Sequence, residues 1–353
     1  MRLPTSLIAC VAATCSIVST ADAEVPQVVT DIAPIQSLVA RVMVGVGEPE
    51  ALLRPGESPH DYALRPSRAR LLADADMVVW TGEALTPWLE QPLDTLAGDA
   101  TRIELMAVEG TVLWPVRDVA VFDDHHDDDG HDDDGHDEEG HVDEGHDGDG
   151  HDEGHADDHA DDHDGDEQHG DDHDSDHEVD HAAHMGMDAH VWLDPVNGQL
   201  WLGVIAAELS RLDPDNSETY AANAQAGQAE LQTAMRQIAE QLAPVKDRRF
   251  MVFHDAYQYF DRRFDLSIAA AVMSGDAAMP GAARVAEVRN AVLEQGITCA
   301  FAEPQFNPGL FSAVFNDGPA NIAILDPVGA ELATGAGLYE AVLRDLADNI
   351  AKC

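Results

Sequence analysis

Basic side chains are scarce in this 353-residue chain, which has 19 Lys and Arg against 68 Asp and Glu. The net charge of −49 argues against a basic face of the kind that binds nucleic acid phosphates. Residues 123–184 contain 30 of the acidic side chains and no Lys or Arg, yet the remainder still carries a net charge of −19. Such a field attracts cations, so cations rather than nucleic acids are the expected partners.

Long apolar runs are lacking after the N-terminal stretch, and about 20 apolar residues are needed to cross a bilayer. The N-terminus predicts a cleavable secretory signal over residues 1–23, with an apolar core at Leu7–Val18 and a small-residue cleavage site ending at Ala23. A membrane anchor is one alternative, but the core is too short. A lipid-attachment site ending at Cys10 is another, but it comes too early. We expect an exported protein.

Only four cysteines occur, and removal of residues 1–23 leaves two of them, Cys299 and Cys353. Two cysteines in an exported protein are expected to pair. The bond would fix the C-terminus, with a stabilisation of about 4 kcal/mol at best from chain entropy. Neither cysteine lies in a C-x-x-C motif, which disfavours a zinc site built from thiolates.

Histidine is scarce outside residues 123–184, which hold fifteen of the eighteen histidines. This segment has no apolar periodicity, so we predict a disordered loop over residues 123–187. A solvated linker is the alternative, but the regular insertion of histidine favours loose binding of divalent metal. The other three histidines, His60, His190 and His254, are candidates for a tighter site, because three imidazoles and one further donor can surround a tetrahedral zinc ion.

Short apolar strands alternate with amphipathic helices on both sides of this segment, which predicts an α/β fold with mainly parallel sheets. We predict two lobes, residues 24–213 and residues 246–353, each with a sheet flanked by helices. Residues 215–243 contain no Pro and are rich in Ala, Gln and Glu, so we predict that one long helix within residues 214–245 joins the lobes.

The three isolated histidines fall at positions where such folds bind ligands. His60 lies in the loop after a predicted strand, His190 precedes a predicted helix start, and His254 follows a strand and opens a predicted helix. The carboxyl ends of parallel strands form the rim at which open α/β sheets bind ligands, and sites between lobes are favoured. Taken singly, an ordinary loop histidine is the alternative for His60, and a buried hydrogen-bonded histidine for His254.

A fourth ligand would complete a tetrahedral site, and Asp326 at the end of the last predicted strand is the candidate. A helix cap or a turn residue before Pro327 is the alternative for Asp326, and Glu57 or a water molecule could take the fourth position instead. Three imidazoles with one oxygen suit Zn²⁺, whereas Mn²⁺ prefers more carboxylate.

Five segments carry a resemblance to a known family: Gly56–Ser67, His190–Pro195, Phe253–Tyr259, Phe301–Phe306 and Leu325–Gly329. In this order the chain resembles the zinc-binding periplasmic component of bacterial zinc ABC importers, which also has an acidic histidine-rich segment in its first lobe. The resemblance implies a two-lobed fold with a long connecting helix and a buried zinc site.

The resemblance also assigns roles to individual residues. It implies that His60, His190 and His254 bind Zn²⁺, and it matches a disulfide between Cys299 and Cys353. Related manganese-binding proteins have a carboxylate at the position of His254, which favours zinc here. Asp326 is carried over as the fourth ligand from relatives that use an aspartate there. The chain departs from some members at Pro59, where they have an acidic residue.

The implied function is high-affinity capture of Zn²⁺ in the periplasm and delivery to a membrane permease that a cytoplasmic ATPase drives. We expect a monomer that catalyses no reaction. A periplasmic metal buffer or an adhesin without a transporter is the alternative. A zinc hydrolase would need an open water position and a general base, such as Asp255 or Glu303. No His-Glu-x-x-His helix is expected, because the match to that spacing at residues 177–181 lies within the segment predicted to be disordered.

Overall fold

A computed structural model of the chain describes residues 25–60, 62–117, 186–273, 281–304, 314 and 321–353. The predicted signal at residues 1–23 and almost all of the predicted loop at residues 123–187 lie outside the described residues. Among the helices that the structure describes, none is both long enough and apolar enough to cross a membrane.

The first half of the described chain contains a four-stranded parallel sheet in the order β2-β1-β3-β4. Its strands are β1 (Val28–Thr30), β2 (Glu50–Ala51), β3 (Met77–Trp80) and β4 (Thr101–Glu104). The helices between them are α1 (Ala33–Val42), α2 (Pro66–Ala73) and α3 (Glu90–Leu96), the last preceded by a 3₁₀ turn at Pro87–Leu89. Every residue of the two central strands is buried, as is typical of parallel sheets covered on both faces.

The last third of the chain repeats this arrangement with a second parallel sheet in the order β6-β5-β7-β8. Its strands are β5 (Arg249–His254), β6 (Ser267–Met273), β7 (Cys299–Ala302) and β8 (Asn321–Ile324). Between these strands along the chain, the structure gives the bounds of α6 (Gln258–Phe264) and α7 (Ala282–Glu294). The two sheets confirm the predicted α/β fold with mainly parallel strands.

Two long helices lie between the two sheets along the chain. Asp194 caps α4 (Pro195–Leu212) by accepting a hydrogen bond from the backbone N–H of Val196 at 2.9 Å, and Pro195 occupies the first helical position. After a 3₁₀ turn at Pro214–Asn216, α5 runs from Ser217 to Leu242, within the predicted range. One buried stripe of mostly apolar residues, spaced three or four apart, faces its neighbours: Tyr220, Ala224, Gly227, Leu231, Ala234, Ile238 and Leu242.

The final helix, α8 (Leu338–Lys352), contacts both halves of the molecule. The backbone N–H of Tyr339 donates to Ser37 Oγ on α1 at 2.9 Å, and the Tyr339 hydroxyl donates to the carbonyl of Trp192 at 2.6 Å. A side chain at position 198 would collide with the Tyr339 ring, so Gly198 permits this close approach. The predicted lobe boundaries at residues 213 and 246 stay predictions, since α8 packs beyond its own sheet.

The disulfide between Cys299 and Cys353 is confirmed, with the two Cα atoms 5.9 Å apart. It joins β7 to the residue that follows α8. One predicted boundary was wrong: His254 does not open a helix but is the last residue of β5, because it pairs in register with Met273 of β6. The next helix begins only at Gln258.

Candidate metal centre

The three isolated histidines line one cavity of about 130 Å³. The ring centroid of His190 lies 5.0 Å from that of His254 and 5.6 Å from that of His60. Seven other residues also line the cavity: Ala84, Val116, Arg117, Met187, Asp188, Ala189 and Asp255. Pockets for organic ligands usually measure about 300–1,000 Å³, so this cavity is of a size for an ion and a few water molecules.

His254 is held by a carboxylate from the neighbouring strand. It ends β5, and Glu303 directly follows β7, which pairs with β5. The ends of these two strands therefore lie side by side at the rim of the sheet. His254 Nδ1 and Glu303 Oε1 are 2.5 Å apart, and both side chains are buried. A carboxylate on Nδ1 fixes the orientation of the ring and leaves Nε2 as the coordinating nitrogen.

His190 is held in the same way from within its own segment. Asp188 Oδ1 lies 2.8 Å from His190 Nδ1 and also accepts the backbone N–H of His190 at 2.9 Å. The hydroxyl of Tyr259, on α6, donates to the Asp188 carbonyl at 2.8 Å. With its side-chain amide turned to satisfy both partners, Gln258 donates to Asp188 Oδ2 at 3.0 Å. The orientation of the His190 ring is therefore set by contacts from both halves of the molecule.

The Nε2 atoms of this pair face each other. His190 Nε2 and His254 Nε2 are 3.2 Å apart, and the carboxylates on both Nδ1 atoms assign the protons to Nδ1. Two nitrogen lone pairs then point at one another, an arrangement that a cation between them would relieve. Tetrahedral zinc with Zn–N distances of about 2.0–2.1 Å places its nitrogens roughly 3.3–3.4 Å apart. The pair is thus already spaced for one such ion.

His60 reaches the cavity from a loop rather than from a strand end. The indole Nε1–H of Trp88 donates to the Pro59 carbonyl at 2.7 Å, and the backbone N–H of His60 donates to Ser58 Oγ at 3.3 Å. The His60 side chain is only partly buried. Among the described residues, no three His, Cys, Asp or Glu side chains are grouped so as to hold a metal ion. A third ligand would have to move towards the preformed pair.

Asp326 is not among the residues that line the cavity. Its Oδ1 accepts the backbone N–H groups of Val328 at 3.1 Å and Gly329 at 2.9 Å, and its Oδ2 accepts that of Ala330 at 2.6 Å. These bonds make Asp326 the organising residue of a turn. Glu57, the other carboxylate considered, pairs with Arg65 at 2.8 Å.

Arg117 brings a positive charge to the cavity wall. Its guanidinium binds both oxygens of Asp255, with Nε–Oδ2 at 2.8 Å, and it also binds Asp261 with Nη1–Oδ2 at 2.8 Å. Burial raises the pKa of Asp261 to about 7, an effect that the charge of Arg117 opposes. This cluster joins the segment before residue 118 to the second half of the molecule.

Sequence reasoning did not consider Asp188 or Arg117 for the site, and it considered Glu303 only as the general base of a zinc hydrolase. Glu303 lies in one of the family-like segments and Asp188 lies two residues before His190, so a search for carboxylates in and beside those segments could have made both of them candidates. In the sequence, Arg117 is distinguished only as the last basic residue before a long acidic segment. That position does not reveal which residues it contacts.

Two repeated parallel sheets with an ion-sized cavity, lined by histidines from both halves, define a two-lobed binding protein for a metal cation. Comparison with known proteins gives the family. The family model described as "Zinc-uptake complex component A periplasmic" (ZnuA) matches residues 28–353. The chain therefore belongs to the ZnuA family.

Individual relatives agree with this assignment. The chain is 43% identical over 334 residues to the high-affinity zinc uptake system protein ZnuA of Paracoccus denitrificans, covering 94% of this chain and 93% of that protein. It is 39% identical to the protein of the same name from Brucella abortus, covering 92% and 91%. Among solved structures, a crystal structure of ZnuA shares the fold with a TM-score of 0.66 at 20% identity, covering 93% of this chain and 100% of that chain.

Proposed function

We propose that this chain is the high-affinity zinc-binding component of an ABC uptake system, which captures Zn²⁺ in the periplasm and delivers it to a membrane permease. The observation that carries the proposal is the buried pair of His190 and His254, whose Nε2 atoms are 3.2 Å apart. Family membership supports it, since relatives with 39–43% identity are named for high-affinity zinc uptake. Zn²⁺ is the cargo and takes part in no bond-making step.

The proposed ligands are His60, His190 and His254, with the His60 loop closing onto the fixed pair when zinc enters. For the fourth position the prediction of Asp326 has a rival in water. Both Asp326 oxygens already accept backbone N–H groups, and breaking such buried bonds costs free energy. Water needs no rearrangement of this kind, so we favour it.

Catalysis is not part of the proposal, because the carboxylates nearest the site are already engaged. Asp255 is bound by Arg117 and Glu303 by His254. A zinc hydrolase needs a carboxylate or similar base that is able to take a proton from the metal-bound water. Incubation of the zinc-loaded protein with ester and peptide substrates should give no hydrolysis above that of zinc alone.

The acidic, histidine-rich segment is proposed to concentrate zinc at the mouth of the cavity. The described residues on either side of it pair with each other: the backbone N–H of Val116 donates to the Gly186 carbonyl at 2.9 Å, and that of Asp188 donates to the Trp114 carbonyl at 2.8 Å. Val116 and Met187, close to the two ends of the segment, both line the cavity. Metal bound loosely by the segment would then be held close to the tight site.

Calorimetric titration with zinc between pH 5 and pH 7.5 tests the proposal. Only neutral imidazole coordinates zinc, and its ordinary pKa is about 6.5, so affinity at the tight site should fall steeply as the pH falls. Removal of residues 123–184 should lower the number of ions bound but leave the tightest one. An affinity that does not change with pH, or loss of the tight site with the segment, would contradict the proposal.

The role in uptake is tested separately from binding. Deletion of the gene should impair growth under zinc starvation, and the protein should co-purify with a membrane permease. Normal growth without the protein would instead favour a metal buffer or an adhesin. Replacement with a variant that lacks the imidazoles of His190 and His254 is the matched control, since it keeps the surface of the protein but not the site.

A further inference from the structure

Asp255 is an oxygen donor placed where it could change which metal the site accepts. It directly follows His254, its side chain is buried, and it lines the same cavity as the three histidines. Carboxylate ligands favour Mn²⁺, whereas a site dominated by imidazole favours Zn²⁺. Both oxygens of Asp255, however, are already bound within the protein.

The partner of both oxygens is Arg117. The guanidinium binds Asp255 through two nitrogens, Nε to Oδ2 at 2.8 Å and Nη2 to Oδ1, in the side-on geometry that fits a carboxylate best. A third nitrogen of Arg117 binds Asp261 at 2.8 Å. The guanidinium is thereby fixed from two sides, and it fixes Asp255 in turn.

We infer that Arg117 determines the metal specificity of the cavity by holding Asp255 out of the coordination sphere of the bound ion. The inference rests on the proposed zinc site and adds a positioning residue to it. If the guanidinium is removed, Asp255 becomes a buried carboxylate without its cation, and such a group gains by turning to any cation within reach. The bound metal is the cation available in the cavity.

A pair of charge-matched double variants of the full chain tests this inference. With all three groups ionised, Arg117, Asp255 and Asp261 together carry a formal charge of −1. Arg117→Gln with Asp261→Asn keeps that net charge and leaves Asp255 free to turn. Arg117→Gln with Asp255→Asn keeps it too, but removes the carboxylate from the cavity and leaves Asp261, which does not line it. The two variants therefore have the same formal charge and differ in which carboxylate remains.

The readout is the visible spectrum of protein loaded with one equivalent of Co²⁺, and its displacement by Mn²⁺. In the variant that retains Asp255, the Co²⁺ bands should shift because an oxygen joins the ligands, and the Mn²⁺ needed for half-displacement should fall about tenfold. The variant that retains Asp261 should keep the wild-type bands and displacement curve. Circular dichroism and a thermal melt establish that both are folded.

Equal spectra and equal displacement in the two variants would overturn the inference, as would a shift of the same size in both. If the Arg117→Gln background does not fold, Arg117→Lys serves, because it keeps the charge but cannot bind both oxygens side-on; it should give a smaller shift in the same direction, and wild-type bands there would also overturn the inference. Wild-type protein that binds no ion tightly would instead refute the proposed zinc site itself.

Discussion

The two sheets of this molecule have the same strand order, and the same pair of strands is cross-linked at the rim of each. In the first sheet, Asp31 follows β1 and its Oδ2 accepts the backbone N–H of Thr81, which follows β3, at 2.7 Å. In the second, His254 ends β5 and its Nδ1 contacts Glu303, which follows β7, at 2.5 Å. In each sheet, a side chain at the end of one central strand therefore contacts the residue that follows the other central strand.

The chemistry of the two links differs. Asp31 is fully buried and its other oxygen accepts the backbone N–H of Ile32 at 2.8 Å. Both oxygens of this carboxylate are therefore hydrogen-bonded within the protein. Burial raises its pKa to about 6. The link at His254 occupies only Nδ1 and leaves Nε2 facing His190. The same position in a repeated fold is therefore a structural brace in one lobe and a proposed zinc ligand in the other.

The largest predicted effect is on zinc affinity, which should distinguish His254 from Asp31. Binding free energies of about 10–16 kcal/mol for structural zinc, shared among the ligands, suggest that removal of one imidazole weakens binding by a few hundredfold or more. We expect this of His254→Ala, which also leaves Glu303 buried without its partner. Asp31→Asn should bind zinc within about twofold of wild type. Competition with a chromophoric chelator measures both, and similar losses in both variants would remove the distinction.

Much of the fold and of the candidate site could be predicted from the sequence. Alternation of short apolar strands with helices is a local pattern, so it predicted two α/β units and the long helix after Pro214. The rarity of histidine outside the acidic segment selected His60, His190 and His254, which the structure places on one cavity. The disulfide followed from counting the cysteines that remain after residues 1–23.

The rest depends on contacts that no local pattern encodes. The pairing of His254 with Met273 extended β5 by one residue beyond the predicted strand. Sequence position could make Asp188 and Glu303 candidates, but only the structure shows that each contacts an imidazole. The packing of α8 against α1 joins residues about 300 positions apart, and sequence periodicity shows that a helix has an apolar face without showing what covers it.

The raised pKa of Asp31 predicts the second largest effect, on stability. A carboxyl group whose pKa rises from 3.8 to about 6 on folding adds stability that is complete below about pH 4 and is lost as the pH rises through 6. The free energy of unfolding of wild type relative to Asp31→Asn should therefore fall by about 3 kcal/mol between pH 3.5 and pH 7.

Urea denaturation of the zinc-free proteins at each pH measures this difference, and the Asn variant cancels the titration of all other groups. The lost or altered hydrogen bond to Thr81 adds an offset that does not depend on pH. A difference that stays constant across the range would mean that Asp31 is ionised as easily in the folded protein as in the unfolded chain.

A smaller effect is expected when the imidazole stays and only its carboxylate changes. Glu303→Gln should weaken zinc binding by about 10–100-fold, because the partner of a metal-bound histidine sets its orientation and basicity. Asp188→Asn should give a loss in the same range at His190. Asp94→Asn is the control, since Asp94 pairs with Arg102 on the surface at 2.7 Å and is not among the cavity residues. A loss in the control equal to the others would point to a general change in charge.

The smallest effect is expected at Asp326, which lies two residues after the end of β8. Asp326→Asn should change zinc affinity by less than about threefold, because its oxygens accept three backbone N–H groups and the side chain does not line the cavity. The same variant should lower the free energy of unfolding by about 1–2 kcal/mol, since an amide nitrogen cannot accept these bonds. His60→Ala measured in parallel gives the scale for loss of a ligand from a loop. A loss of affinity for Asp326→Asn as large as that of His60→Ala would show that Asp326 leaves its turn to bind the metal, and the second sheet would then supply two ligands to the site.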